Sequence, residues 1–147
     1  MGRYKNSGLG VGTKGNPQQS LEQENFSNKN NKTSSAMPNY DKATTNDEKF
    51  LGYSLNMDHP VGKHKAIAYE QGLGFNQSNY NLLKQQIHNQ INGGTAKLTN
   101  IENTTYGTKY TFELPITGPN GKTKTVIVVY QIDNGDTIPR LVTNYLK

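Results

Sequence analysis

Apolar positions fall into two regimes along the chain. Through residues 1–48 they are isolated and aperiodic: Leu9, Val11, Leu21, Phe26 and Met37 stand among Asn, Gly, Ser, Thr, Gln and Lys. Neither the strand period nor the helix period recurs there. From about Lys49 the pattern becomes regular. A first helix is predicted over Lys63–Gln71, entered through Asp58-His59-Pro60 and stopped by Gly72 and Gly74. A second is predicted over Gln77–Asn92, with Asn76 as N-cap and Gly93-Gly94 at its end. Its Tyr80, Leu83, Ile87 and Ile91 recur at spacings of three and four and form one apolar stripe. Four strands follow. Ala96–Asn103 carries Leu98 and Ile101. Lys109–Ile116 alternates, with Tyr110, Phe112, Leu114 and Ile116 on one face. Pro119-Asn120-Gly121 signals a hairpin into Thr123–Ile132, whose β-branched run predicts a central strand buried on both faces. Asp133-Asn134-Gly135-Asp136 turns the chain into Arg140–Leu146. The predicted fold class is α+β: two N-terminal helices packed on a four-stranded antiparallel meander.

Composition sharpens the division. Only 31% of the 147 residues are hydrophobic, against about 45–50% in a typical globular domain. Residues 1–48 cannot bury enough apolar surface to offset their ordering entropy, so they are expected to be a linker or the tail of a longer protein. The folded unit is then residues 49–147, where ten Lys and Arg face six Asp and Glu. The whole chain carries a formal charge of +5 with a pI near 9.3, a balance suited to an anionic partner. Cys is absent, which excludes disulfides, thiolate metal sites and a Cys nucleophile. No apolar run approaches the roughly 18 residues of a membrane span, and the start lacks a signal-peptide pattern.

The densest polar constellation is Asp58-His59-Pro60-Val61-Gly62-Lys63-His64-Lys65. Imidazole suits proton transfer near neutral pH, and adjacent ammonium groups hold a phosphate and stabilise charge on it. The plain alternative is a solvated basic helix start with His59 as a turn residue. The second constellation is Arg140, Thr143 and Tyr145 in the last strand. Strand alternation puts Leu141, Thr143 and Tyr145 on one face and Arg140, Val142, Asn144 and Leu146 on the other. Hydroxyls there can donate to phosphate oxygens and a Tyr ring can stack a base, although Thr and Tyr are also ordinary strand residues. Gly10-Val11-Gly12-Thr13-Lys14-Gly15 matches the letters of a dinucleotide-binding turn but lacks the flanking strand and helix. His88 lies off the apolar stripe of the second helix. No spacing of His and carboxylates suits a metal, and no cofactor is expected.

Tyr53-Ser-Leu-Asn-Met-Asp-His-Pro-Val-Gly-Lys-His-Lys-Ala66, Gly72-Leu-Gly-Phe75, Tyr106-Gly107 and Pro139-Arg-Leu-Val-Thr-Asn-Tyr-Leu146 together resemble a small bacterial domain family. That family is found at the C-terminal end of polymorphic and contact-dependent toxins. The order of elements also resembles the BECR group of barnase, EndoU, colicin D and RelE-like ribonucleases. The resemblance covers Tyr53 to Leu146. It implies that His64, with Lys63 and Lys65, corresponds to the Lys/His cluster of colicin D-like nucleases, and that Thr143 and Tyr145 correspond to a Ser-x-Trp pair. The Lys–His spacing differs, and Tyr replaces Trp.

The activity so implied is metal-independent cleavage of RNA, with tRNA as substrate: the 2′-OH attacks its own phosphate, leaving a 2′,3′-cyclic phosphate and a 5′-OH. His64, or else His59, would transfer protons. Lys63 and Lys65 would neutralise phosphate, Thr143 and Arg140 would hold its oxygens, Tyr145 would stack a base, and Asp58 would border the substrate. The resemblance further implies delivery from a bacterium into a target-cell cytoplasm, and a monomer that pairs with an acidic immunity protein. The rival reading is a non-enzymatic basic module of phage or bacterial origin that binds nucleic acid or an acidic protein.

Overall fold

The computed structural model describes residues 32–147. The Gly10–Gly15 motif and residues 1–31 of the expected tail lie outside the described residues. Short 3₁₀ turns at Ser34–Ala36 and Tyr40–Lys42 and a π-helical turn at Phe50–Ser54 lead to α1, Lys63–Leu73. A 3₁₀ turn at Gln77–Asn79 feeds α2, Tyr80–Asn92. The strands are β1, Lys97–Asn103; β2, Gly107–Thr117; β3, Thr123–Asp133; and β4, Arg140–Leu146. They form one antiparallel sheet in the order β1-β2-β3-β4.

Both helices pack on one sheet face, α2 over β2 and α1 over β4. Leu83, Ile87 and Ile91 of α2 meet Phe112, Leu114 and Ile116 of β2 and Val126, Val128 and Tyr130 of β3 in a single fully buried cluster. α1 contributes Tyr69 and Leu73. Gly72 of α1 faces β4 so closely that a Cβ there would overlap Leu146. Asn76 caps the 3₁₀ turn that feeds α2 rather than α2 itself: Asn76 Oδ1 accepts from the Ser78 N–H and Asn79 Oδ1 from the Asn76 N–H, while Asn79, the N-cap of α2, makes no side-chain cap bond. On the face of β3 away from the helices, Ile127 and Gln131 are buried and Val129 is half-buried.

Two expectations need correction. The folded unit starts well before Lys49: a compact unit spans Thr33–Lys147. Met37 and Ala43 belong to the core, the Ser34 N–H donates to the Ala96 carbonyl at 2.6 Å, and Thr45 Oγ1 lies 2.6 Å from the buried Tyr130 hydroxyl. Periodicity missed this segment because it is built of turns. Single apolar side chains, Met37 and Ala43, join the one core cluster from these turns, and polar residues such as Ser34 and Asn39 satisfy backbone carbonyls.

The second correction concerns β4. Thr143 pairs with Val129 and Leu141 with Tyr130, so β4 carries one extra residue, Val142, at a β-bulge. The bulge reverses the alternation partway along the strand. Leu141, Asn144 and Leu146 face the helices, while Arg140, Thr143 and Tyr145, opposite Gln131, Val129 and Ile127, share the open face. Regular alternation had separated Arg140 from Thr143.

Candidate functional site: a lysine ammonium between a helix and the edge strand

The Asn56–Lys65 segment is first a folding device. Asn56 Oδ1 accepts from the Asp58 N–H at 2.9 Å. His59 Nδ1 accepts from the N–H groups of Val61 at 3.0 Å and Gly62 at 2.9 Å. These bonds close the turn and start α1 at Lys63. Gly62 is pressed on the backbone of the π-helical turn, where a Cβ would overlap the Tyr53 carbonyl. Tyr53 is thereby set beside the first turn of α1.

Lys65 is where these elements converge with β4. Its ammonium donates to Tyr53 Oη at 2.7 Å and to Thr143 Oγ1 at 2.9 Å. It lies 4.4 Å from the Tyr53 ring centroid and 5.2 Å from that of Tyr145, within the range of cation–π attraction. Lys65 and Thr143 are half-buried, and no carboxylate among the described residues is paired with this ammonium. The hydrogen-bond inventory is telling. An ammonium has three N–H donors and two are used. Tyr53 and Thr143 each accept from Lys65, which leaves each hydroxyl its own hydrogen to donate. The site thus converges three donors, one of them charged, and presents no anion of its own.

The other sequence candidates divide sharply. Lys65, Thr143 and Tyr145 are brought together. His59 adjoins them through Tyr53, the two rings meeting edge to face with centroids 5.0 Å apart. Because His59 Nδ1 accepts two backbone bonds, its neutral ring carries the proton on Nε2. Lys63, His64 and Asp58 are exposed, and their side chains form no hydrogen bond or ion pair among the described residues. His64 is one residue, about 100° of helical turn, from Lys65. Arg140 reaches the open face but is committed: Nε donates to Asp133 Oδ2 at 2.7 Å and Nη2 to Oδ1 at 3.0 Å. Its guanidinium, with Gln131, holds the Asp133 carboxyl below the usual carboxylate range.

Tyr53 was not singled out from the sequence as a site residue. It belongs to no amphipathic repeat, and its only signal is its place twelve residues before Lys65 in a π-helical turn, an element found disproportionately at functional sites. Beneath the site, Tyr69 Oη donates to Asn144 Oδ1 at 2.8 Å, and both residues are fully buried. Burial pushes the Tyr69 phenol well up, which keeps it neutral. Among the described residues no group of three or more His, Asp or Glu gathers as a metal site.

With this geometry in place, comparison with known proteins gives the class first. The family described as Domain of unknown function (DUF6883) matches residues 36–147, and the chain belongs to it. Its matched span starts within the turn segment that packs into the core. Among solved structures, a chain of the "Contact-dependent growth inhibition toxin - immunity protein complex from Klebsiella pneumoniae 342" is similar in fold, with a TM-score of 0.54 at 15% identity. The likeness covers 71% of this chain and 99% of that one. No curated protein matches. No helix among the described residues is long and apolar enough to cross a membrane.

Proposed function

We propose that this domain is a toxin that cleaves RNA, with Lys65 as the group that holds the scissile phosphate. The observation that carries the reading is a half-buried ammonium flanked by two hydroxyl donors and two aromatic rings, with no carboxylate among the described residues paired to it. Donors arranged in this way suit a phosphate on its way to a phosphorane, where negative charge accumulates. They supply no nucleophile. RNA carries its own in the 2′-OH, so this chemistry calls for RNA rather than DNA and gives 2′,3′-cyclic phosphate and 5′-OH ends. The aromatic rings suit a base next to that phosphate.

In this reading Lys65 neutralises the phosphate, Tyr53 and Thr143 donate to its oxygens, and Tyr145 stacks a base. Lys63 and the exposed His64 face the flanking strand, and His64, with both ring nitrogens unengaged, transfers protons. His59 keeps its Nδ1 on the backbone and acts as the cap that seats Tyr53. Arg140, neutralised by Asp133, orders the far end of β4 rather than holding phosphate. Two helices preceding a four-stranded antiparallel sheet suit the resemblance to BECR ribonucleases on which the reading draws, and fold likeness to a chain of a toxin–immunity complex supports a toxin role. A basic chain with an unpaired ammonium suits the toxin side of such a pair, whereas an inhibitor of a basic nuclease is expected to be acidic. From the resemblance we take tRNA as the substrate and the cytoplasm of a target cell as the place of action, and we add an acidic immunity protein over the Lys65 site.

The test is incubation of total RNA, in EDTA, with wild type, Lys65→Met and His64→Ala, followed by sequencing of the ends. Cleavage by wild type to 5′-OH ends, lost in Lys65→Met and reduced about 10²–10⁴-fold in His64→Ala, is expected. Absence of cleavage by the wild type favours the binding-module reading. Equal cleavage of DNA removes the 2′-OH mechanism. Full activity of His64→Ala with loss in Tyr53→Phe moves proton transfer to the Tyr53 hydroxyl.

A further inference from the structure

β4 has two ways to lie against β3. In the observed strand, the bulge at Val142 turns Asn144 and Leu146 inward and Thr143 and Tyr145 outward. Without the bulge, Leu141, Thr143 and Tyr145 would all face the helices, and Asn144 would face solvent. Hydrophobicity barely separates the two. Leu141 is inside in both, and the exchange is Asn144 with Leu146 against Thr143 with Tyr145. The choice matters, because only the bulged strand offers Thr143 and Tyr145 to Lys65.

We infer that the Tyr69–Asn144 hydrogen bond selects the bulged strand and so assembles the Lys65 site; the pair are positioning residues. Three observations carry this. Asn144 has no exposed surface, an uncommon place for a carboxamide. Its Oδ1 is held by the Tyr69 hydroxyl at 2.8 Å, while its Nδ2 is buried without a partner. An amide left half satisfied in a core is a cost that packing alone would have removed. The third is placement. Tyr69 lies one helical turn beyond Lys65 on the same face of α1, and Asn144 directly follows Thr143 on β4. The two α1–β4 bonds, Lys65 to Thr143 and Tyr69 to Asn144, therefore lie side by side. The inner one fixes the strand, and the outer one is the site.

The inference rests on Lys65 as the anion-holding group only for its functional consequence; the strand selection stands separately. The experiment uses the full chain. Exposure of Tyr145 is read by tetranitromethane nitration and peptide mass spectrometry, and anion binding by titrating inorganic phosphate against the Lys65 side-chain resonance. Tyr69→Phe leaves Asn144 without its bond, so Tyr145 becomes protected and phosphate binds about tenfold or more weakly. Adding Asn144→Val restores both, because a valine stays inside without a partner. Wild-type nitration and phosphate affinity in Tyr69→Phe overturn the inference, as does a folded double variant that recovers neither. Should Tyr69→Phe fail to fold, the double variant decides alone: wild-type values support strand selection and loss of either one sinks it. Lys65→Met, run in parallel, separates the two readings. Undiminished phosphate binding there removes the anion site, while the nitration result still judges the strand.

Discussion

The two helices of this domain meet the sheet through different mixtures of apolar and polar contact. α2 is placed mainly by burial: Leu83, Ile87 and Ile91 form a stripe with no exposed surface, set into the sheet, and at its margin Gln86 and Gln90 add hydrogen bonds to the β2 backbone at Thr117 and Pro115. α1 buries Ala66, Tyr69 and Leu73, yet the contacts that orient it on β4 are directional bonds from Lys65 and Tyr69. A hydrophobic stripe tolerates sliding and repacking, whereas a hydrogen bond near 2.8 Å does not. α2 is thus seated by an apolar stripe with polar anchors on strand backbone, and α1 by side-chain bonds that also assemble the candidate site.

Substitutions can break that division, the largest effect coming from the core helix. Ile87→Ala is expected to cost about 2–5 kcal/mol of stability, measured by urea unfolding, with RNA cleavage by the folded fraction unchanged. Lys65→Met should do the reverse. Cleavage falls about 100-fold or more through loss of the charged donor, while stability stays within about 1 kcal/mol. Comparable losses of both quantities in either variant would dissolve the distinction. Gly62→Ala tests the junction. A Cβ against the Tyr53 carbonyl forces the π-helical turn away from α1, costing about 1–3 kcal/mol and weakening phosphate binding in the same variant. Thr143→Val keeps the strand shape and removes one donor, so cleavage should fall about fivefold with the melting temperature unchanged.

The smallest effect concerns pH. Burial raises the phenols of Tyr69 and Tyr130, so the folded state holds their protons more tightly than the unfolded chain. Their stabilising contribution is complete below about pH 10, the unfolded value, and is lost as pH rises beyond it. Each adds a slope of up to about 1.4 kcal/mol per pH unit there. Tyr130→Phe should flatten the alkaline limb of a melting-temperature profile, while at neutral pH it lowers stability by about 1 kcal/mol through loss of the bond to Thr45.

Much of the frame is legible in the chain itself. The α2 stripe, the alternation of β2, the Asn-Gly hairpin and the four strand positions follow from local rules that tertiary packing did not override. The Asp58–Lys65 cluster and the pair Thr143 and Tyr145 stand out as polar constellations. Two things were hidden. The turns of residues 33–48 have no period, and the fit of Met37 to its hole exists only once the sheet and α2 are present. The bulge at Val142 leaves no mark in the residue pattern, because Leu-Val-Thr-Asn-Tyr-Leu alternates equally well in either phase. Regular alternation therefore put Arg140 and Thr143 on opposite faces, and the bulge puts them on one.

Residue types and their local order determined the class of fold, the basic balance and the supply of ammonium, hydroxyl and aromatic groups. Tertiary structure decided which of those groups meet. Lys65 rather than a histidine reaches the strand, Arg140 is spoken for by Asp133, Tyr53 completes the donor set, and His59 turns its Nδ1 to the backbone. The physical reason is range. Propensity and periodicity act over a few neighbouring residues, while a site built from α1, a π-helical turn and an edge strand depends on backbone phases set by bonds between residues more than seventy positions apart.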